Sequence, residues 1–145
     1  MKKLLTFLLC ISLIFALCAC GSKTNKLDDI NESLYYEQKG ITFITEKTEY
    51  STDVKEISYT ITNISTGEEC ISGDQHFELH YKTENGWKMV CHNKDVTFNA
   101  LARVLQPNES VTQTINLEEY FYLPLQSGEY RITDSYSLSN VFKIS

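Results

Sequence analysis

The stretch of sequence that decides the fold is VKEISYTIT, residues 54–62. Its apolar residues Ile57, Tyr59 and Ile61 alternate with serine and threonine. Successive side chains of a β-strand point to opposite faces, so this period of two predicts a strand with one buried face and one solvated face. The β-branched and aromatic composition of the stretch favours the same structure.

Similar runs lie on both sides of this strand and are separated by turn residues. The predicted strands cover residues 41–44, 54–62, 77–81, 87–91, 111–117, 128–132 and 141–144. No stretch has the spacing of an amphipathic helix of ten or more residues, and residues 117–122 form at most a short turn. Short strands separated by turn signals are typical of all-β proteins, so we predict an antiparallel β-sandwich of about seven to eight strands.

The turn between the strands at 77–81 and 87–91 sets their register. A three-residue loop, 84–86, with Gly86 in the left-handed conformation places Tyr81 opposite Met89. In that register Trp87 and Met89 share the inward face with Tyr81, whereas a two-residue Asn-Gly loop turns them to the other face. We therefore predict the three-residue loop.

The first 19 residues have a different character from the rest of the chain. Lys2 and Lys3 are followed by an apolar stretch, residues 4–17, interrupted only by one threonine and one serine. As a helix this stretch is ~21 Å long, short of the ~30 Å hydrocarbon core of a bilayer. A signal peptide therefore fits residues 1–19 better than a permanent membrane span.

The residues that follow, Leu17-Cys18-Ala19-Cys20, are similar to a bacterial lipobox, although Cys18 stands where a small residue is usual. The resemblance implies cleavage before Cys20 and diacylglycerol on its sulfur. Two or three acyl chains give stable anchoring, so the implied location is the extracytoplasmic surface of the bacterial membrane. The alternative is an ordinary secretory signal that is cut at a neighbouring site. The predicted order is a signal peptide at 1–19, a flexible tether at 20–39 and a folded domain at 40–145.

Several short motifs occur in order along residues 40–145. They are Gly40-Ile41-Thr42-Phe43, the 57–63 stretch, Asn85-Gly86-Trp87, Leu105-x-Pro107-x-Glu109-Ser110, Gly128-x-Tyr130-Arg131-Ile132 and Phe142-x-Ile144. The ordered set resembles the bacterial immunoglobulin-like domain family, which implies a sandwich carried by a secreted or lipid-anchored protein without an assigned activity. Within the set, Gly128-x-Tyr130 resembles the tyrosine corner of immunoglobulin domains.

The charge of the chain excludes one class of partner. The first 19 residues hold two lysines and no acidic residue, so the remainder has 11 basic and 19 acidic residues and a net charge of −8. Nucleic-acid binding needs clustered Lys and Arg, and the sequence has no such cluster, so we expect no nucleic-acid partner. We expect a monomer that meets the membrane through the lipid on Cys20 and binds a protein or cell-wall ligand.

No residues form a recognisable catalytic group, since both the Gly-x-Ser-x-Gly motif and a glycine-rich phosphate loop are missing. His76, His80 and His92 are candidate metal ligands. His76 and His80, however, lie ~13 Å apart along one extended strand. We therefore expect solvent-facing imidazoles, no metal, no cofactor and no enzymatic activity.

Cys70 and Cys91 are the only cysteines that follow Cys20, and disulfides persist outside the cytoplasm. As a candidate disulfide, the pair would close a loop of about 20 residues and add ~3 kcal/mol of stability through the unfolded state. Two buried free thiols are the alternative, and the sequence supports both equally.

The most suggestive binding feature is the run YFYLPL, residues 120–125. As an exposed loop, Tyr120, Phe121 and Tyr122 would form a contact patch, because tyrosine is favoured at binding sites. Alternatively, the segment folds beneath the sandwich and plugs the end of its core, because contiguous exposed apolar runs are costly in a monomer.

The sequence thus predicts a lipid-anchored extracytoplasmic domain with a non-enzymatic binding, adhesion or envelope-structural role. An alternative is a protease inhibitor that inserts a loop into an active-site cleft, with residues 83–86 or 93–103 as the loop and Arg103 as a specificity residue. A third is an accessory subunit that presents an acidic face to a cationic ligand.

Overall fold

In a computed structural model, the protein is described at residues 23–30, 40–72, 77–97, 101–134 and 138–145. These residues form eleven strands and one short helix. The strands are β1 Leu27–Asp29, β2 Ile41–Thr45, β3 Glu49–Tyr50, β4 Glu56–Asn63, β5 Glu69–Ser72, β6 Phe77–Thr83, β7 Gly86–Val90, β8 Ala102–Leu105, β9 Ser110–Asn116, β10 Gly128–Asp134 and β11 Ser139–Ile144. The helix is α1, Leu117–Tyr120.

Most of the strands belong to two sheets. The larger has six strands in the order β1-β7-β6-β10-β11-β3, and the smaller has three in the order β2-β4-β9. β5 and β8 form a separate two-stranded sheet. Every described pair is antiparallel except β11 with β3. The predicted all-β antiparallel sandwich is confirmed, but the described residues form eleven strands instead of the predicted seven to eight. The strands that the prediction lacks, β1, β3, β5 and β8, are only two to four residues long, which is too short to show an alternating pattern.

Strand β4 has the two faces that its sequence predicts. Ile57, Tyr59 and Ile61 are each at most 1% exposed, and the ring of Tyr59 stacks on Phe43 with 4.5 Å between centroids. The hydroxyl residues of the other face meet serine and threonine hydroxyls of β9 across the sheet, at 2.8–2.9 Å. Cross-strand pairs of this kind stabilise a sheet on its solvated face.

The inward face of the larger sheet supplies the other half of the core. Leu79 on β6 lies opposite Ile132 on β10, and both are fully buried. Phe142 on β11 lies opposite Tyr130 on β10, with their rings stacked 6.0 Å apart. The alternation that the sequence shows in these strands therefore marks one continuous apolar layer.

The register of the β6–β7 hairpin differs from the prediction by one residue. Thr83 pairs with Gly86, so the loop holds two residues instead of three. His80 lies opposite Met89, where the prediction placed Tyr81. Gly86 does have the predicted positive φ, at 109°.

The prediction failed because it placed Trp87 on the inward face. Trp87 pairs with Lys82, and its ring packs against the guanidinium of Arg131 at 4.8 Å and the ammonium of Lys82 at 4.8 Å. Cations over an indole face are attracted by the ring quadrupole, so this large aromatic residue is stabilised on the outward face of the sheet.

Part of the predicted tether belongs to the domain. β1 lies within the 20–39 segment, and its residues Leu27, Asp28 and Asp29 pair antiparallel with the edge of β7. Three residues without apolar alternation carry no strand signal. The strand forms because the edge of β7 offers unpaired backbone groups to a neighbouring segment.

The predicted signal peptide and Cys20 lie outside the described residues. Within the described part of the chain, no helix is long and apolar enough to cross a membrane.

Candidate functional site

The Tyr120–Tyr122 segment plugs the core at one end of the sandwich. Asn116 caps α1 by accepting a hydrogen bond from the Glu118 N–H at 3.1 Å, and the Phe121 N–H donates to the Leu117 carbonyl at 2.9 Å. Phe121 is 2% exposed, and Tyr120 packs edge-on against Phe77 with 5.1 Å between centroids. Of the two sequence alternatives, the structure therefore has the plug, although Tyr122 stays half-buried at its margin.

Beyond this plug the chain forms one wall of a groove of about 620 Å³. The N-terminal segment forms a second wall, and side chains of β6, β7 and β10 form the floor. Its apolar and aromatic lining consists of Leu27, Tyr81, Val90, Tyr122, Leu123, Leu125 and Tyr130, and Pro124 follows a cis peptide bond. The volume falls within the ~300–1,000 Å³ of small-molecule and cofactor sites.

The N-terminal wall is joined to the tyrosine segment by the Asn25 side chain. Asn25 Nδ2 donates to the Tyr122 carbonyl at 2.8 Å, and Asn25 Oδ1 accepts from the Tyr122 N–H at 2.8 Å. The Lys23 ammonium lies 5.3 Å from the centroid of the Tyr122 ring. These contacts fix the backbone of Tyr122 at one end of the groove.

The groove floor contains the predicted tyrosine corner. The Tyr130 hydroxyl donates to the Gln126 carbonyl at 2.9 Å, and burial raises the pKa of Tyr130. The Gln126 amide donates to the Tyr81 hydroxyl at 3.1 Å, and that hydroxyl donates to the Ser127 carbonyl at 3.4 Å. The polar groups on this side of the groove are thus hydrogen-bonded within the protein.

The opposite end of the groove offers polar groups to a ligand. Among the described residues, the Tyr122 hydroxyl makes no hydrogen bond, and the ammonium of Lys23 makes only its contact with the Tyr122 ring. The groove therefore presents an apolar, aromatic interior with a donor and a positive charge at one end. Such a site suits a ligand with an apolar body and a polar or anionic end.

Because Gly128 has no side chain, the start of β10 can pack closely against Tyr81 in the groove floor. The φ of Gly128 is +155°, and a Cβ atom placed there would lie 2.5 Å from the Tyr81 ring. Only glycine allows the start of β10 to approach Tyr81 this closely.

The two candidate disulfide cysteines are free thiols. Cys70 is exposed on β5, opposite Val104 in the two-stranded sheet, whereas Cys91 follows β7 in the larger sheet. The Cys91 thiol donates to Asp28 at 3.0 Å, and burial together with this carboxylate raises its pKa. The structure thus joins Cys91 to the N-terminal segment and does not bring it together with Cys70.

His80 is fully buried, contrary to the expected solvent-facing imidazole. Its Nδ1 accepts from Arg131 Nη2 at 3.0 Å, and its Nε2 donates to Glu78 at 3.0 Å. His92 packs against Phe121 with 5.2 Å between centroids, and His76 lies outside the described residues. The described residues contain no group of three or more His, Cys, Asp or Glu placed to hold a metal ion.

The candidate inhibitory loops lie at opposite ends of β7. The hairpin tip precedes β7, and residues 93–97 follow it, with the Asn93 N–H bonded to the Tyr120 carbonyl at 2.7 Å. Arg103 lies within β8, opposite Ile71, and pairs with Glu109 at 3.0 Å. Residues 98–100 of the second loop lie outside the described part.

The sequence matches the family described as bacterial Ig-like domains over residues 37–143. The chain belongs to the bacterial immunoglobulin-like domain family. Domains of this family are typically non-catalytic and usually extracellular. β1 and the N-terminal wall of the groove lie before the matched region.

No curated protein matches the sequence. Among solved structures, a β-glucosidase from Erythrobacter marinus is 16% identical with a TM-score of 0.40, over 73% of this chain and 15% of the enzyme. A β-glucosidase from Listeria innocua is 16% identical with a TM-score of 0.36, over 72% of this chain and 16% of the enzyme. An alkylpurine DNA glycosylase from Pseudomonas fluorescens is 9% identical with a TM-score of 0.41, over 75% of this chain and 31% of the glycosylase. The chain thus spans less than a third of each of these proteins.

Proposed function

We propose that this chain is a lipid-anchored binding protein of the bacterial cell surface, attached through Cys20, and that the tyrosine-lined groove is its ligand site. The family supplies a non-catalytic, extracellular domain, and the lipobox-like sequence supplies the anchor. The groove is the observation that carries the proposal, because it combines an apolar interior with the charge of Lys23 at one end.

The chemistry of the groove narrows the ligand class. Its internal hydroxyls and amides are hydrogen-bonded within the protein. The binding free energy of a ligand therefore comes mainly from apolar and ring contacts inside the groove and from one polar contact at Lys23 or Tyr122. A protein segment with an aromatic or aliphatic anchor and a nearby carboxylate fits this description. Buried aromatic anchors carry most of the binding energy at such sites.

A photo-crosslinking amino acid at position 122 in living cells tests the proposal. Position 112 is the matched control, because Thr112 is exposed on the outward face of β9 in the other sheet. We expect a defined adduct from position 122 that is absent at position 112. The same adduct pattern from both positions, or none from position 122, would overturn the groove as the site.

Protease inhibition is the second candidate function. The hairpin tip is a better candidate for the inhibitory loop than residues 93–103, because Glu84 and Asn85 are exposed. The tip is the two-residue turn of the paired β6–β7 ribbon. Inhibition of a serine or cysteine protease that is lost in Glu84→Ala and kept in Tyr122→Ala would support this function instead.

A further inference from the structure

The N-terminal segment is attached to the domain from Asn25 onward, five residues after the proposed anchor. The Cys91 N–H donates to the Lys26 carbonyl at 2.8 Å, and the β1–β7 pairing continues from there. The Lys26 ammonium lies 2.8 Å from Asp28, and the Asn25 amide makes two hydrogen bonds to Tyr122. Ordered backbone and side-chain contacts therefore begin by Asn25, at one end of the groove.

This attachment limits the distance between the domain and its anchor. A free segment of 20 residues spans at most ~70 Å, whereas the five residues from Cys20 to Asn25 span at most ~18 Å. We propose that the lipidated domain rests on the membrane that holds its anchor, with the Cys91 end of β7 toward the lipid headgroups. This inference rests on the proposed lipid at Cys20.

The strand direction gives the orientation of the domain. Lys26 lies opposite the Cys91 end of β7, and the hairpin tip lies at the other end of that strand. Five residues of a strand cover about 16 Å, so the tip is at least this far from the anchored end. The anchored end faces the bilayer and Asn85 faces away from it.

The test uses the mature chain with Cys70→Ser and Cys91→Ser, coupled through Cys20 to a maleimide lipid in phosphatidylcholine–phosphatidylglycerol vesicles. A donor dye is placed at position 85 or at the exposed position 95, and acceptor dyes are placed in the bilayer. Position 95 follows β7, at the anchored end. We expect at least about twofold more energy transfer from position 95 than from position 85.

A second variant with a flexible 16-residue Gly-Ser insertion between Ser22 and Lys23 is the control, and we expect it to remove the difference. Equal transfer from the two positions in the uninserted chain, or a difference that survives the insertion, would overturn the inference. Chemical coupling replaces cellular lipidation here, so the result is independent of whether cells modify Cys20.

Discussion

At the scale of single residues, the side chain of Asn63 makes three hydrogen bonds in the interior. It is fully buried, its amide donates to the carbonyls of Gly67 and Leu105 at 2.7 and 2.9 Å, and its oxygen accepts from the Ser65 N–H at 2.8 Å. Asn63→Ala leaves these groups without partners in the interior, so we expect a loss of about 3 kcal/mol in the free energy of unfolding.

Urea denaturation measures this loss. The exposed Asn85→Ala is the matched control and should change stability by less than about 0.5 kcal/mol. Equal effects of the two substitutions would show that the Asn63 hydrogen bonds do not stabilise the fold.

Gly128 provides a second residue-scale prediction. A Cβ atom at this position meets the Tyr81 ring at 2.5 Å, so Gly128→Ala must displace the groove floor and should destabilise by about 1–3 kcal/mol. Gly67→Ala is the control, because a Cβ there meets no atom within 4 Å. Thermal unfolding should separate the variants, and equal melting temperatures would contradict the close approach.

The buried tyrosines should make the free energy of unfolding depend on pH in the alkaline range. Burial raises the pKa of Tyr59 and of Tyr130 above the ordinary 10.0. Above pH 10 the unfolded chain loses these protons while the folded chain keeps them, so stability that is complete at neutral pH falls as the pH rises. Urea denaturation from about pH 8 to about pH 11 should show this fall.

Tyr59→Phe and Tyr130→Phe should each make that pH dependence shallower, because each removes one titrating group. The raised pKa values of the buried phenols would be contradicted if both variants kept the slope of the parent protein.

At the scale of elements, the attachment of β1 depends on a single ladder. Lys26 accepts from the Cys91 N–H, and alternation in an antiparallel pair then turns residues 26 and 28 toward β7. Asp28→Pro removes the N–H that faces β7, so it should release β1 and raise hydrogen exchange at the Cys91 amide by at least about tenfold.

Asp28→Ala is the matched control, because it removes the carboxylate and its contacts with Lys26 and Cys91 but keeps the N–H. We expect Cys91 exchange close to that of the parent protein in this variant. Fast hydrogen exchange at the Cys91 amide in both variants would instead show that the Asp28 side chain holds β1 in place.

The elements that could be predicted from the sequence are those in which local pattern and burial agree. β4 alternates apolar and hydroxyl residues, and its two faces are buried and solvated as expected. The register of β7 could not be derived, because Trp87 is as apolar as a core residue but is stabilised on the outer face by Arg131 from β10. β1 could not be derived either, because its three residues form a strand only where the edge of β7 is available.

At the scale of the whole molecule, the groove is assembled from segments far apart in sequence. Asn25 and Tyr122 are separated by 97 positions, and their contact joins the N-terminal wall to the tyrosine segment. The sequence identified Tyr120, Phe121 and Tyr122 as notable but gave no signal for Lys23 or Asn25, which lie in a stretch of low periodicity. Contacts of this range depend on the closed fold and leave no local pattern.

The attachment of this surface domain to the membrane through Cys20 is the central proposal. Mass spectrometry of the N-terminal peptide from cell membranes tests it most directly. We predict a chain that begins at Cys20, carries diacylglycerol on the sulfur and leaves the membrane fraction in Cys20→Ser. An unmodified N-terminus, or a start at another residue, would contradict the claim.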